Sequence, residues 1–388
     1  MRSSICPSPP TDTGSVETYR SPDDFQLASS RGPTDTGSVE TRAKPCTSDR
    51  TWYTTRIGEG DSTSFSTAGD FRPHPLFPTG HLQTLAGLFL PHGRTDEHAR
   101  RHAVILDDGD QIILHDDSPL SWSAGDRTAL LIHGLAGCHA SPYMQRIAHK
   151  LNHRGVRTFR MDLRGCGAGV GLARLPYHSG RSEDAVAALQ KIAELCPGSP
   201  TTLIGFSLGG NITLKLLGEA AGRLPSQLDR AVAVCPPVDL LACVKSLAQG
   251  VNRLYDRHFV GHLRQQLDVQ RRLIPDAPLL DSRHRPRGVF DFDEMFTAPV
   301  CGYGTALNYY RLCSSAQFVP EIRVPTLILA AADDPLVPRQ MFADLRLSPA
   351  VTLHLAPSGG HLGFIGRRNG DPDRRWMDWR VVEWATTP

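Results

Sequence analysis

Leu203-Ile204-Gly205-Phe206-Ser207-Leu208-Gly209-Gly210-Asn211 is the stretch that decides how this chain folds. An apolar run from Thr202 to Ile204 meets a glycine and then a serine flanked by small residues. Ile212, Leu214, Leu216 and Leu217 follow at helical spacing. The pattern predicts a strand, a tight turn and a helix, with Ser207 at the apex. Gly205 and Gly209 complete G-x-S-x-G, in which the serine backbone is strained and a Cβ two residues to either side would meet the strand or the helix. The turn lifts the serine oxygen above the end of a sheet. It also aims the N–H of Leu208 at the same spot, where a helix N-terminus favours negative charge. Chance alone supplies roughly 0.1–0.3 such matches in a chain of this glycine content, so the flanking strand and helix must decide. They make Ser207 the candidate nucleophile rather than a helix-capping serine.

Outward from this turn the chain alternates. The runs Ala129–Ile132, Val156–Met161, Leu203–Gly205, Ala231–Val234, Thr326–Ala330 and Val351–Leu355 are short and apolar, as strands buried on both faces would be. Tyr143–His153 and Ser182–Leu195 carry helical spacing between them. Ser182-Glu-Asp reads as an N-cap with an acidic first turn, and Cys196-Pro-Gly ends that helix. Alternation of this kind predicts an α/β fold with a mostly parallel, doubly wound sheet. Ala103–Leu106 and Gln111–His115, split by Asp107-Asp-Gly-Asp110, predict a hairpin ahead of it; the acidic turn lacks the full spacing of a calcium loop. One departure breaks the rhythm. Residues from about 237 to 318 are mainly helical and mixed in charge, an insertion expected to cap the carboxyl ends of the strands, where ligands bind in open α/β sheets.

A serine nucleophile needs a base, a group to orient that base, and donors for an oxyanion. Past the strand at Thr326–Ala330 comes Ala331-Ala332-Asp333-Asp334-Pro335-Leu336-Val337-Pro338, which places a carboxylate at a strand's end. Asp334, directly before the proline turn, is the favoured orienting group, and Asp333 is the alternative. Past the next strand, Pro357-Ser-Gly-Gly-His361 puts an imidazole on a glycine-rich loop. The order Ser207, Asp334, His361 is that of the α/β-hydrolases and differs from the chymotrypsin and subtilisin orders. Leu131-Ile-His133-Gly134-Leu135-Ala136-Gly137 supplies a loop whose Leu135 N–H is expected to join that of Leu208 in an oxyanion hole, with His133 bracing the loop. Rival chemistry is thin. His258 and His262 are spaced i, i+4 without the H-E-x-x-H pattern of a zinc site. Cys138 and Cys166 have no basic neighbour in motif and read as bystanders. No phosphate-binding or dinucleotide fingerprint occurs, so neither a cofactor nor a metal is expected.

The chain has 388 residues, enough for one large α/β domain, with a net charge of +2 that is far from the balance of a nucleic-acid binder. No apolar run approaches a membrane span. The nine cysteines are odd in number and scattered without a C-x-x-C pair, which with the lack of a signal-like start predicts reduced thiols and a cytoplasmic protein. Residues 1–65 differ in composition: polar, aperiodic, and carrying a nonamer from Pro10 to Thr18 that recurs from Pro33 to Thr41. Such a segment buries too little to fold and is expected to be a disordered leader ahead of one domain at 66–388. The stretch from Phe71 to Leu85, rich in proline and aromatics, is expected to be an extended arm packed on that domain, its His74 and His81 structural rather than ligands. The basic run Arg283-His-Arg-Pro-Arg287 reads as a solvated face.

From about Arg72 onward the chain resembles the YheT-like branch of the α/β-hydrolases, related to the embryogenesis-associated proteins and α/β-hydrolase-domain lipases. The likeness is carried by Gly80-His-Leu-Gln-Thr84, by Leu131-Ile-His-Gly-Leu-Ala-Gly137 with Tyr143, by Arg164-Gly-Cys-Gly167 with Tyr177-His-Ser-Gly180, and by Asp291-Phe-Asp293, Gly302-Tyr303 and Tyr309-Tyr310. The resemblance implies an α/β-hydrolase fold and a Ser-Asp-His enzyme whose triad falls on Ser207, Asp334 and His361. It implies a small-molecule ester or lipid substrate, while the membrane anchor of the animal lipases has no counterpart here. Three readings follow: a serine hydrolase of short- or medium-chain esters or acylglycerol-like lipids, an acyltransferase to an alcohol with the same triad, or a non-catalytic binding protein on this fold. For the hydrolase, the base works neutral, so the rate is expected to rise as an ordinary imidazole deprotonates, roughly pH 6.5–7.

Overall fold

The computed structural model describes residues 71–90, 99–220, 222–281, 283 and 285–387. The polar leader with its repeated nonamer, Cys6 and Cys46 lie outside the described residues. Eight strands form one sheet: β1 (Arg100–Ile105), β2 (Gln111–Asp117), β3 (Thr128–Ile132), β4 (Arg157–Asp162), β5 (Thr201–Phe206), β6 (Leu228–Val234), β7 (Thr326–Ala331) and β8 (Val351–Ala356). Their spatial order is β1-β2-β4-β3-β5-β6-β7-β8. β2 is antiparallel to both β1 and β4, and every other pair is parallel. The expected hairpin is therefore the antiparallel edge of an otherwise parallel sheet. Asp108 and Asp110 in its turn pair with Arg164 at 2.6 and 2.8 Å, so these carboxylates are ion-paired.

Helices cover both faces. They are α1 (Gly80–Phe89), α2 (Pro142–Asn152), α3 (Ser182–Leu195), α4 (Leu208–Glu219), α5 (Leu240–Leu247), α6 (Arg253–Leu273), α7 (Val289–Phe292), α8 (Ala298–Val300), α9 (Ala306–Cys313), α10 (Gln340–Ala343) and α11 (Trp376–Thr386). The two faces of the central strands bury different sets. Leu130, Ile132 and Leu203 belong to one core, while Ala129, Leu131, Ile204 and Phe206 belong to the other, against α2 and α11. This two-residue alternation between equally apolar faces explains why the strand runs read as continuous hydrophobic stretches. β8 departs from that expectation. Among the described residues it is the sheet edge, and there its Thr352 is exposed and its middle residues are only half-buried.

Two local expectations are corrected. The segment from Phe71 is extended only as far as Thr79; Gly80–Phe89 is helical, its first turn capped by the Thr79 hydroxyl. Prolines at 73, 75 and 78 precede the helix and leave its interior free. Ser182 is not an N-cap. Arg181 occupies that position without a side-chain cap, and the Ser182 hydroxyl instead meets Glu219 and Lys215 of α4. Between β6 and β7 the chain runs through α5 to α9, with a single π-helical turn at Asp293–Thr297. Among the described residues, no helix is long and apolar enough to cross a membrane.

Candidate active site

Loops at the carboxyl ends of β3, β5, β7 and β8 converge where the parallel strands change direction of winding, the place at which open α/β sheets hold ligands. Ser207 follows β5 with φ +52° and ψ −117°, a conformation that a non-glycine residue adopts only when its surroundings enforce it. They do so by close packing. A Cβ on Gly205 would lie 2.2 Å from the Gly209 carbonyl oxygen, and one on Gly209 would lie 2.4 Å from that of Ile132. The Ser207 N–H donates to Val234 O at 2.8 Å, locking the turn onto β6.

His361 and Asp334 meet this serine. The imidazole Nε2 lies 2.9 Å from Ser207 Oγ, and Nδ1 lies 2.8 Å from Asp334 Oδ2. The other carboxylate oxygen of Asp334 accepts the N–H groups of Leu336 and Val337 at 2.8 and 3.0 Å. Asp333 turns away and accepts from Gly360 N–H at 2.9 Å. It shapes the histidine loop but does not touch the imidazole. The backbone N–H of His361 donates to Thr84 Oγ1 at 2.9 Å, so α1 buttresses that loop from outside. Thr84 stands in the stretch Gly80–Thr84 that carries the resemblance, but its contact with the histidine loop joins residues 277 apart and leaves no local signal.

Leu135 and Leu208 line one cavity with Ser207 and His361. As the first residue of α4, Leu208 has an N–H without an intrahelical acceptor. The loop carrying Leu135 is pinned on both sides: Gly134 N–H donates to Tyr143 Oη at 2.9 Å and Ala136 N–H to Tyr177 Oη at 3.0 Å. His133 is fully buried, with Nδ1 at 2.7 Å from Gly134 O and Nε2 accepting from Leu163 N–H at 3.2 Å. Burial lowers its pKa, so it stays a neutral brace. The cavity measures about 120 Å³ and its remaining wall is mainly apolar, supplied by α5, α6, α7, the π-helical turn and α9.

One cluster beside this loop escaped the sequence reading. Asp162, at the end of β4 and fully buried, lies 2.8 Å from both His115 Nε2 and His139 Nδ1. It also accepts the N–H groups of His139 and Ala168 at 2.7 and 2.8 Å. Burial alone would raise its pKa, but the hydrogen bonds from the two histidines prevail and hold it well below the usual carboxylate range. The ligating atoms of the three residues lie within 4.8 Å of one another, as metal ligands do. The carboxylate is nevertheless saturated by these donors, and the set works as an anchor for residues 133–139. A carboxylate just past a strand end, the signal that singled out Asp334, would also have found it. His258 and His262 pack edge to face on α6 and bring no third ligand with them. Burial raises both the Cys138 thiol, to about 11, and the Cys166 thiol.

Comparison with known proteins gives the family and the fold. A sequence model described as the alpha/beta hydrolase fold matches residues 129–367. The chain is 33% identical over 342 residues to YheT of Escherichia coli, covering 86% of this chain and 97% of that one. It is 30% identical to a monoacylglycerol lipase of Saccharomyces cerevisiae over 67% of this chain and 59% of the lipase. In fold it is similar to the solved Pyrococcus furiosus esterase Pf2001, with a TM-score of 0.50 and 15% identity over 76% of this chain and 94% of that one.

Proposed function

The chain belongs to the α/β-hydrolase family, in the branch that includes YheT, and from that premise we propose that it is a serine hydrolase of carboxylic esters with Ser207, His361 and Asp334 as its triad. The observation that carries the reading is the unbroken hydrogen-bond relay from Ser207 Oγ through His361 to Asp334 Oδ2, at 2.9 and 2.8 Å, opening on an apolar cavity. His361 Nε2 takes the hydroxyl proton as Ser207 Oγ attacks the ester carbonyl carbon. Asp334 holds Nδ1–H and so fixes the tautomer that leaves Nε2 free to accept. The N–H groups of Leu135 and Leu208 stabilise the oxyanion of the tetrahedral intermediate. The intermediate collapses to an acyl-serine as His361 returns the proton to the leaving alkoxide. Water, deprotonated by the same imidazole, then releases the acid and restores Ser207. The helical segment from about 237 to 318 acts as a cap that shapes the acyl and alcohol sites.

The cavity supports a size preference within this reading. At about 120 Å³ it is comparable to the engineered protein cavity of about 150 Å³ that accommodates benzene. This favours short acyl or alcohol groups over long ones. The test is labelling with a fluorescent fluorophosphonate, wild type against Ser207→Ala, alongside a chain-length series of p-nitrophenyl esters. Labelling that disappears in the variant, with faster turnover of short than of long esters, is the expected result. Labelling without turnover of any ester would redirect the search to acyl acceptors other than water. Absence of labelling in the folded wild-type protein would overturn the hydrolase reading.

A further inference from the structure

The cavity wall holds one group that the proposed chemistry leaves without a role. Asp293 lines the same cavity as Ser207 and His361, opposite side chains that are otherwise mainly hydrocarbon or aromatic. It is 92% buried, being 8% exposed, and among the described residues it has no cationic partner. Arg164, which also lines the cavity, is fully committed to Asp184, Asp108 and Asp110. The Asp293 carboxyl instead receives the Tyr310 hydroxyl at 2.7 Å and a hydrogen bond from the side chain of Thr297. Burial pushes it up to about 6, against the two hydrogen bonds that pull it down. A carboxyl in such a place costs free energy that an apolar residue would not.

Backbone geometry singles out the same residue. Asp293 opens the π-helical turn Asp293–Thr297, a form that is rare and concentrated at functional sites. The wider turn presents Asp293, Phe296 and Thr297 together to the cavity. With Tyr310 and Thr297, which line the cavity beside it, each donating one hydrogen bond, the carboxyl keeps unused hydrogen-bonding capacity. A hydroxyl is the partner that suits it in either protonation state, since it donates to a carboxylate and accepts from a carboxylic acid.

We propose that Asp293, backed by Tyr310 and Thr297, is a hydroxyl-binding subsite that selects esters carrying a free alcohol group remote from the scissile bond. The inference rests on the hydrolase reading for the identity of the substrate as an ester. The site itself is a property of the cavity wall.

The test compares p-nitrophenyl esters of ω-hydroxy acids of four to eight carbons with the plain esters of the same length. In wild type, the hydroxy ester is expected to exceed its plain partner in kcat/KM by about tenfold or more at one chain length. Asp293→Leu should erase that preference while plain-ester turnover persists. Asp293→Asn, which keeps the volume and can still donate and accept, should retain most of the preference and guards against a folding artefact. Equal losses on both esters in Asp293→Leu would mean that the residue only braces the cap, and would overturn the proposal. So would the lack of any hydroxyl preference in wild type, or a larger gain from a trimethylammonium group than from a hydroxyl. If no ester is turned over and Ser207 resists labelling, the hydrolase reading fails separately. Calorimetry of 1,6-hexanediol against 1-hexanol then still decides the subsite: tighter diol binding that is lost in Asp293→Leu supports it, and equal binding overturns it.

Discussion

Two adjacent aspartates follow β7, and only one reaches the imidazole. Asp334 Oδ2 lies 2.8 Å from His361 Nδ1, while Asp333 accepts a loop N–H from Gly360. If Asp334 fixes the tautomer, Asp334→Asn should lower kcat by about 10⁴-fold, because the amide favours the wrong imidazole tautomer. Asp333→Asn should cost less than about tenfold, since the half-buried Asp333 holds loop amides and an asparagine keeps an oxygen that accepts the Gly360 N–H. Steady-state kinetics of the two variants on one p-nitrophenyl ester separates them; equal losses would mean that the loop, rather than the carboxylate, carries the effect. The proline turn after Asp334 favours it in the sequence, with Asp333 as the alternative; the hydrogen bond to His361 Nδ1 shows which of the two carboxylates reaches the imidazole.

At the level of elements, the site depends on how closely helix α4 approaches strand β3. A methyl group on Gly209 would sit 2.4 Å from Ile132 O and 2.7 Å from His133 O, both backbone atoms that no side-chain rotation can move aside. Gly209→Ala should therefore lower the unfolding free energy by at least about 2 kcal/mol. It should also slow fluorophosphonate labelling, because relief requires the elbow to lift off the strand that precedes the Leu135 loop. Urea denaturation and labelling rates measure the two effects, and an unchanged labelling rate would break the link between them. The Asp162 cluster acts on the other end of that loop. Asp162→Asn removes a carboxylate that binds two imidazoles and two backbone N–H groups. It should cost about 3 kcal/mol or more, read as a lower denaturation midpoint. G-x-S-x-G announces the first of these contacts directly. The second shows in sequence only as a carboxylate at a strand's end, because its partners His115 and His139 come from separate segments.

Across the whole molecule, one buried ion-pair group ties the chain's last helix to an early one. Asp378 of α11 is fully buried and takes Arg146 Nε at 2.9 Å and Lys150 Nζ at 3.0 Å from α2. Burial alone would raise its pKa, but the two cations prevail and lower it. Asp378→Ala strands the buried Arg146, while Lys150 keeps Asp373 at 2.8 Å, and should cost about 3–5 kcal/mol by chemical denaturation. The pH dependence of stability belongs at this scale too. Burial lowers the pKa of His115, His133 and His178 in the fold. The unfolded chain therefore binds protons that the native state refuses, and stability present above the ordinary histidine pKa is lost as pH falls below it. Asp293, raised to about 6, works in the opposite direction between about pH 4 and 6. So do Asp184, Asp256, Asp333, Asp371 and Glu383, which burial also raises and which act from the ordinary carboxylate pKa upward. His149, His258 and His262, also lowered by burial, add to the histidine side nearer neutrality. The denaturation midpoint should fall between about pH 7.5 and about pH 5.5; a midpoint that holds or rises would contradict the balance. By itself the sequence determined the alternation of strands and helices, the elbow at Ser207 and the order of Ser207, Asp334 and His361, because these are local patterns of period and turn chemistry. Only the tertiary structure brought the Asp334 carboxylate, and not that of Asp333, to the His361 imidazole, folded Gly80–Phe89 as a helix against the His361 loop, and brought Asp293 to the cavity wall. Those outcomes depend on distances between segments far apart in the chain, which packing sets and local sequence does not encode.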